Sequence, residues 1–478
     1  MHQQSALHLL FMCTRRRAVL NYYIGRHKQR LESFGLLNTE SELTTLGCQY
    51  SMWKDGLLVE RPLGWALAPE YLPEYCTYCL EPRLTTKLDK CSACRSIYYC
   101  GRTCQKADWP MHKMECRFCK ASGSGGDESY RLLLRIVKKL EMGEDSATAG
   151  SRSFDDLMDH RSELTKLYQD WRIGFDEWIG SAPNVVQMAD DLIQSIICKI
   201  FVNSFALTSV FGRTVGIALC VQLSALDHSC KPTARIAFRG NECRMVPTQS
   251  CSTAAPLTHS YIDELLPREE RRKQLRERYK FDCQCEGCLD EARNAEMVAF
   301  ACEMCKGPTE MGANCLHCKM KMSTDRLDVC KIANDLAEAS LNLSCNFPAL
   351  NRCVAATDKL TLCTKSLEVV DDVFCAFNIK KLALLRGAYE ACVALSRFTE
   401  ANFYGSQVLE ILLHYGHPDD IAIIHLKFNL AKIYLKDGQK DFCANLMREV
   451  APSIGRIYGK DSAIYKEMLL NLNAMLKH

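Results

Sequence analysis

Between Cys76 and Cys116 the chain sets out eight cysteine and histidine side chains as four close pairs: Cys76 with Cys79, Cys91 with Cys94, Cys100 with Cys104, and His112 with Cys116. Zinc takes four such ligands at about 2.0 to 2.3 Å, and closely spaced pairs can fold back onto one ion without a hydrophobic core. Eight ligands fit two tetrahedral sites. Neighbouring pairs could share an ion or alternate pairs could, and spacing alone leaves both arrangements open. Buried reduced thiols are the competing reading, but free cysteines have no reason to recur at ligand spacing. Wider cysteine usage agrees. Twenty-nine cysteines among 478 residues, many in Cys-x2-Cys pairs, suit thiolates held on metal in a reducing cytosol or nucleus rather than a secreted disulfide framework.

Two more cysteine groups follow. Asp227-His228-Ser229-Cys230 precedes Cys283, Cys285 and Cys288; three thiolates cannot close a tetrahedron, and Cys230 is the natural fourth if the fold joins the segments. Further on, Cys302, Cys305, Cys315 and Cys318 form two Cys-x2-Cys knuckles with Gly307, Pro308 and Gly312 between them, the pattern of a zinc ribbon. The three groups together call for about four zinc ions per chain.

Bulk charge names no partner. Apolar residues make up 47%, charged residues 24%, and the formal charge is +3, as in an ordinary globular protein. Residues 76–120 carry nine Lys or Arg against four Asp or Glu. Zinc on four thiolates bears two negative charges and zinc on three thiolates with a neutral His bears one, so ligation removes most of that surplus. Nucleic acid is therefore not expected as a primary partner. The apolar run Ala6 to Cys13 precedes Arg15, Arg16 and Arg17, the reverse of a secretion signal. No run reaches the roughly eighteen apolar residues that span a bilayer, so no membrane association is expected.

Periodicity supplies a coarse layout. Leu132, Leu133, Ile136, Val137 and Leu140 recur at three and four residues, predicting a helix within a mainly helical stretch from Asp127 to Ile200, interrupted by an exposed loop over Glu141 to Ser153. A short charged helix is predicted between Pro267 and Tyr279, with Glu269 four residues before Lys273. From Asp325 onward the spacing is helical, as in Leu409, Leu412, Leu413 and then Ile421, Ile424, Phe428. An internal echo sets Ala394-Leu395 and Tyr415-Gly416-His417 beside Tyr434-Leu435 and Tyr458-Gly459-Lys460, a period of about forty residues that suits helical-hairpin repeats.

The array from Cys76 to Cys116, with Tyr98, Tyr99, Gln105, Trp109 and a terminal His112-x3-Cys116, resembles the MYND finger. In that family the first and third pairs share one zinc and the second and fourth share the other. The resemblance thus implies one site of Cys76, Cys79, Cys100 and Cys104, and another of Cys91, Cys94, His112 and Cys116. It also implies a finger that binds protein segments, proline-rich peptides among them. Leu226-Asp227-His228-Ser229-Cys230 resembles the cofactor motif of SET-domain methyltransferases, Tyr261-Ile262-Asp263 their tyrosine strand, and Arg271-Arg272-Lys273-Gln274-Leu275 through Cys288 their closing cysteine segment. Together these resemble the SET and MYND domain (SMYD) family of protein-lysine methyltransferases.

That resemblance implies an α+β fold: a β-rich SET core split by a MYND zinc finger and a helical insert, followed by a post-SET zinc cluster and an all-α, tetratricopeptide-like carboxyl-terminal domain. The expected boundaries are an unmatched segment 1–50, SET strands 51–75, the finger 76–116, the insert 117–200, the SET core 201–265, the post-SET segment 266–290, the ribbon 291–324 and the helical domain 325–478. The implied activity is transfer of a methyl group from S-adenosylmethionine to a lysine amine of a protein substrate, histone or otherwise, in nucleus and cytoplasm. Tyr261 is the expected catalytic tyrosine, and Phe205 and Tyr279 line the lysine channel. His160, Asn203, Ser224, Leu226, Asp227, His228, Tyr261 and Phe281 are the expected cofactor contacts, Phe281 stacking near the adenine.

The chain departs from the family at several points. Where members carry a glycine-rich turn upstream of Gly56-Leu57-Leu58-Val59, it reads Leu43-Thr44-Thr45-Leu46-Gly47-Cys48. Asp227 stands for the usual Asn, exchanging an amide donor for a carboxylate acceptor. Thr233 replaces a second Asn, and Ala254-Ala255-Pro256 replaces an acidic turn. These departures define the competing expectation, a catalytically degenerate adaptor that binds partners through its finger and helical domain.

Overall fold

The computed structural model describes residues 53–54, 57–83, 87–144, 152–182, 188–248, 257–345 and 352–476. Residues 1–50, the Leu43–Cys48 stretch, Gly56, most of the expected loop after Glu141, and Ala254-Ala255-Pro256 lie outside them. The fold mixes α and β, with helices dominating its carboxyl-terminal part. The chain forms two compact units. One holds the described residues up to Ser209 with Thr214–Asp227 and Gly240–Thr258; the other holds Val210–Arg213, His228–Arg239 and everything from His259 onward.

Besides the short finger pair Asp89–Lys90 with Tyr98–Tyr99, the described residues of the first unit contain two small antiparallel arrangements of strands. Leu57–Glu60 pairs with Trp53–Lys54 on one side and with Glu242–Pro247 on the other, placing Leu58 opposite Met245. In the second, Thr214–Leu219 is central between Gly64–Leu67 and Ser204–Thr208. Backbones approach closely here. A Cβ on Gly216 would meet the Ala66 carbonyl oxygen at 2.1 Å, so only glycine fits that register.

The helix Glu128–Glu141 covers this sheet. It starts where Asp127 accepts the Ser129 N–H, a side-chain cap for an otherwise orphaned donor. Periodicity predicts a single apolar face, yet every residue from Arg131 to Val137 is buried, and Leu140 is only half-buried. The physical reason is that the helix is covered twice, by strand Gly64–Leu67 and by the finger helix Arg102–Ser122. Arg135 tolerates burial because two carboxylates take its guanidinium, whereas Arg131 keeps one partner, the Leu67 carbonyl, and leaves its Nε and Nη1 without one. That finger helix runs without a break past Cys116 to Ser122, so no linker separates the finger from the insert.

Thr258–His259 is the strand before the tyrosine segment, and in the second unit Tyr261-Ile262-Asp263 is an irregular bend rather than a strand. The strand ends early where the Tyr261 N–H turns to His228 Nδ1, at 3.0 Å, away from a ladder partner. The charged helix is present over Arg268–Gln274 and continues as a π turn, Leu275–Tyr279, ended by Lys280 at φ 60°. Beyond Thr324 the described residues contain only helices and turns, each helix packing on the next. Leu412, Ile424 and Phe428 are buried as their spacing predicts; Leu413 faces outward, and Val408 and Ile411 fill the core beside Leu412.

Two hairpins in this region repeat one another closely. Helices Ile379–Ala394 and Phe398–Tyr415 correspond to Ile421–Lys436 and Lys440–Tyr458. The first helix of each is capped by a short polar side chain, Asn378 or Asp420, accepting N–H groups of the first turn. Each turn passes through a left-handed residue, Ser396 at φ 59° or Gly438 at φ 80°. Serine carries a Cβ penalty in that conformation that glycine escapes, about 1 kcal/mol. Ser396→Gly is therefore expected to stabilise the protein by up to about 1 kcal/mol, read as a rise in the thermal midpoint, and Gly438→Ser to lower it comparably.

Candidate functional site

The finger brings its ligands together in the interleaved arrangement. The sulfurs of Cys76, Cys79, Cys100 and Cys104 lie within 4.8 Å of one another, as do the donor atoms of Cys91, Cys94, His112 and Cys116. The Cys79–Cys100 and Cys91–Cys116 sulfurs are 3.8 and 4.0 Å apart. Thiolates on one tetrahedral zinc sit about 3.8 Å apart, so the residues fit the ion. Local backbone explains the convergence. After each of the first two pairs a left-handed residue, Leu80 or Arg95, donates its N–H to the carbonyl of the pair's first cysteine at 2.9 Å. His112 and Cys116 are one helical turn apart on the buried side of Arg102–Ser122.

Behind His112 lies a fully buried polar network. His112 Nδ1 is 2.9 Å from Glu115 Oε1, which leaves Nε2 facing Cys94 Sγ at 3.5 Å and the metal position. Arg135 donates Nη2–H and Nε–H to the two Glu115 oxygens at 2.7 and 3.0 Å, and Nη1–H and Nη2–H to Asp108, both at 3.0 Å. Tyr99 donates its hydroxyl to Asp108 Oδ2 at 2.8 Å. Burial alone would raise the Glu115 carboxyl, but the Arg135 guanidinium and the His112 hydrogen bond hold it down at about 2. The network fixes the histidine tautomer and ties the second finger site to the helix covering the sheet. Neighbouring Arg131 donates to the Leu67 carbonyl of that sheet.

The post-SET cysteines also converge. Cys230 Sγ lies 3.6 Å from Cys288 Sγ, and the Cys230 N–H points at Cys285 Sγ at 3.1 Å. Donor atoms of His228, Cys230, Cys283 and Cys285 all fall within 4.8 Å of one another, a group in which His228 stands where Cys288 was expected. The His228 ring argues against its being a ligand. Its Nδ1 accepts the Tyr261 N–H, so the neutral ring carries its proton on Nε2, 3.1 Å from Cys230 Sγ. Desolvation keeps this imidazole neutral, lowering its pKa to about 4. Such a ring can donate to a thiolate, which leaves Cys288, 3.6 Å from Cys230 Sγ, as the candidate for the fourth position.

Around His228 stand the expected aromatic residues of this unit. The Tyr261 ring centroid is 4.9 Å from that of Tyr279, 5.2 Å from His228 and 6.4 Å from Phe281, with Phe281 edge-on. The Tyr279 hydroxyl donates to the Tyr261 carbonyl at 3.2 Å, and burial raises its pKa. The remaining expected contacts belong to the first unit. Asn203 is buried, and its amide donates to the carbonyls of Met158 and Lys199, both at 2.8 Å. Met158 and His160 line an open groove of about 910 Å³ with Asp155, Asp159 and Lys199, His160 adopting φ 45°. Phe205 and Leu226 are buried, Ser224 bonds Arg152 at 3.0 Å, and Asp227 is exposed.

Sequence reasoning missed Glu60 and Arg152, which brace the turn bearing Ser224 and Leu226. Glu60 accepts the N–H groups of Gln222 and Leu223 at 3.0 and 2.8 Å, and Arg152 bonds Gln222 as well as Ser224. Neither carried a signal in a single sequence. Glu115, three residues after a ligand histidine on a helix, did.

Removing one partner of a buried ionic network leaves the others unpaired, at about 3 to 5 kcal/mol. Arg135→Met is expected to lower stability by that order and to release zinc at a lower chelator concentration, measured with a metal-sensitive dye. Glu60 has the opposite sign to a usual ion-paired carboxylate. Burial raises its folded pKa from 4.5 to about 7 against the opposing backbone N–H groups, so its contribution is complete below pH 4.5 and is lost as pH rises through 7. Between pH 5.5 and 8.5, wild type should lose stability relative to Glu60→Gln by on the order of 2 kcal/mol in paired denaturant melts.

Comparison with known proteins places this geometry. The family model for the MYND finger matches residues 76–116, the segment that forms the two interleaved sites. The chain is 34% identical to SET domain-containing protein 14 of Caenorhabditis elegans, over 86% of its own length and 96% of that protein. It is 27% identical to human histone-lysine N-methyltransferase SMYD3 over 86% of this chain and 90% of that protein. Against human histone-lysine N-methyltransferase SMYD1 the identity is 26%, over 82% and 79% respectively. A finger match on the metal-binding residues and near-complete coverage of a relative at 34% identity show that the chain belongs to the SET and MYND domain family.

Proposed function

We propose that this protein is an S-adenosylmethionine-dependent protein-lysine N-methyltransferase. The observation that carries the reading is the clustering of Tyr261, Tyr279, Phe281 and His228 on the post-SET thiols, where the family's motif places its reacting centre. Kinship with proteins named histone-lysine methyltransferases supports the reaction class.

The cofactor supplies an electrophilic methyl group on a sulfonium. The protein's own residues must deliver a neutral amine in line with it and accommodate the cationic product. Desolvation in such a channel would lower the pKa of the entering amine so that its proton is lost to solvent water, and the ring faces would then sit against the methylated cation. Tyr261 would be the tyrosine that serves the transferring methyl. The Tyr279 ring, tied through its hydroxyl to the Tyr261 backbone, would line the lysine channel, the role also proposed for Phe205. Phe281 would hold the adenine. Asn203, Ser224, Leu226, His160 and Asp227 are the first unit's candidates for cofactor contacts, and the Asp227 carboxylate would suit the cofactor's ammonium by charge even though it cannot donate as an amide would. The finger binds protein partners, with Trp109 exposed on its helix.

Calorimetry of S-adenosylmethionine on zinc-loaded protein tests the reading. Wild type is expected to bind and Phe281→Ala to bind about threefold to tenfold more weakly, the range of one aromatic contact. Tyr261→Phe should retain binding and lose about 100-fold in methyl transfer, the scale of a lost transition-state hydrogen bond. Absence of binding by folded wild type would favour a protein-binding adaptor instead.

A further inference from the structure

The cysteine ribbon from Cys302 to Cys318 lies outside the finger match, and the methyl-transfer reading makes no use of it. Its four sulfurs lie within 4.8 Å of one another, with Cys302–Cys318 at 3.6 Å and Cys305–Cys315 at 3.5 Å. These separations are far beyond a disulfide bond of about 2.05 Å, and the thiols converge on one point rather than forming two pairs.

Its backbone repeats the geometry of the finger. After Cys302-x2-Cys305 comes Lys306 at φ 58°, and after Cys315-x2-Cys318 comes Lys319 at φ 60°; each donates its N–H to the carbonyl of the knuckle's first cysteine at 3.0 Å. Leu80 and Arg95 do the same in the finger. Lysine has no preference for left-handed backbone, which costs about 1 kcal/mol or more without glycine. The turn brings compensation, because backbone N–H groups of Met304 and Cys305 then point at the Cys302 sulfur, and those of His317 and Cys318 at the Cys315 sulfur. Donors gathered around sulfur are what a metal-bound thiolate requires.

Apolar packing cannot hold this loop. Met304, Met311, Leu316 and Met320 are all exposed, while the buried positions are mainly cysteine and small residues. Yet the strand leading into it is clamped to the corner between helices Arg352–Val370 and Ile379–Ala394. Ala301 N–H donates to the Val373 carbonyl at 2.8 Å, and Cys375 N–H to the Ala299 carbonyl at 3.1 Å. Phe300 packs edge-on against Phe374 at 5.5 Å. Arg326 donates to the carbonyls of both Ala301 and Asp372, and Asn378, cap of the second helix, donates to the Ala299 carbonyl at 3.0 Å.

We propose that Cys302, Cys305, Cys315 and Cys318 bind a further zinc ion, and that this ion is a structural staple that keeps strand Phe300–Ala301 against the 372–378 corner of the helical region. The ion replaces the missing core of the loop, and the adjoining strand passes that order to the helices.

Native mass spectrometry and hydrogen exchange on the full chain test the staple. Cys305→Ser with Cys318→Ser, both exposed positions, should carry one zinc fewer than wild type and exchange about tenfold faster over 299–301 and 372–378, with the finger unchanged. A Met304→Ser, Leu316→Ser variant, which alters the same surface and keeps the thiols, should match wild type in both readouts. Should the cysteine variant fail to fold, graded chelation of wild type supplies the same comparison: loss of one equivalent should coincide with faster exchange at 372–378. Unchanged zinc content in the cysteine variant overturns the site, and loss of the ion without faster exchange at 372–378 overturns the staple.

Discussion

The guanidinium of Arg135, closed in between two carboxylates, is the contact on which the first unit turns. A zinc finger has almost no apolar interior, and a sheet covered by one helix has nothing that fixes the helix's rotation. Arg135 answers both needs. It reaches Asp108 and Glu115 on the finger helix, and Glu115 in turn holds the ligand His112. One turn earlier Arg131 reaches the sheet. Metal ligation and strand packing are thereby linked through one helix, each link a buried charge that is costly to leave unpaired. The finger is integral to this unit rather than an appendage.

In the second unit thiol chemistry and aromatic packing share a boundary. His228 stands on it, accepting from the Tyr261 backbone with one nitrogen and donating toward Cys230 with the other. One imidazole ring thus joins the tyrosine backbone to the thiols. The departure at Asp227 lies one residue before this histidine, on the exposed side, where a carboxylate can remain hydrated. Substitution there spares the internal hydrogen bonds that define the cluster.

What the sequence disclosed depended on distance along the chain. Knuckles and the His112-x3-Cys116 pair are legible because their ligands are neighbours and spacing alone brings them together. Interleaving of the finger sites needed the family resemblance, since nothing local distinguishes it from sequential pairing. Periodicity located the helix Glu128–Glu141 and missed the burial of Arg131 and Arg135, whose partners lie on other elements. Glu60 was illegible for the same reason: its two N–H partners are more than 160 residues away. The strand expected for the tyrosine segment rests on the family resemblance, and a side-chain acceptor, His228, diverts its backbone. The faint echo near Ala394 and Tyr434 proved to be two hairpins with matching caps and turns, because N-caps and left-handed turns leave only a few diagnostic residues each.

That repetition has a mechanical consequence. Hairpins that meet mainly their immediate neighbours form a nearly one-dimensional array, in which order is passed from unit to unit and the terminal units, covered on one side only, are weakest. The 372–378 corner stands near one terminus of this stack. An array of this kind yields to force or heat by peeling inward from its ends, so whatever secures its first corner sets the load at which the whole stack begins to open.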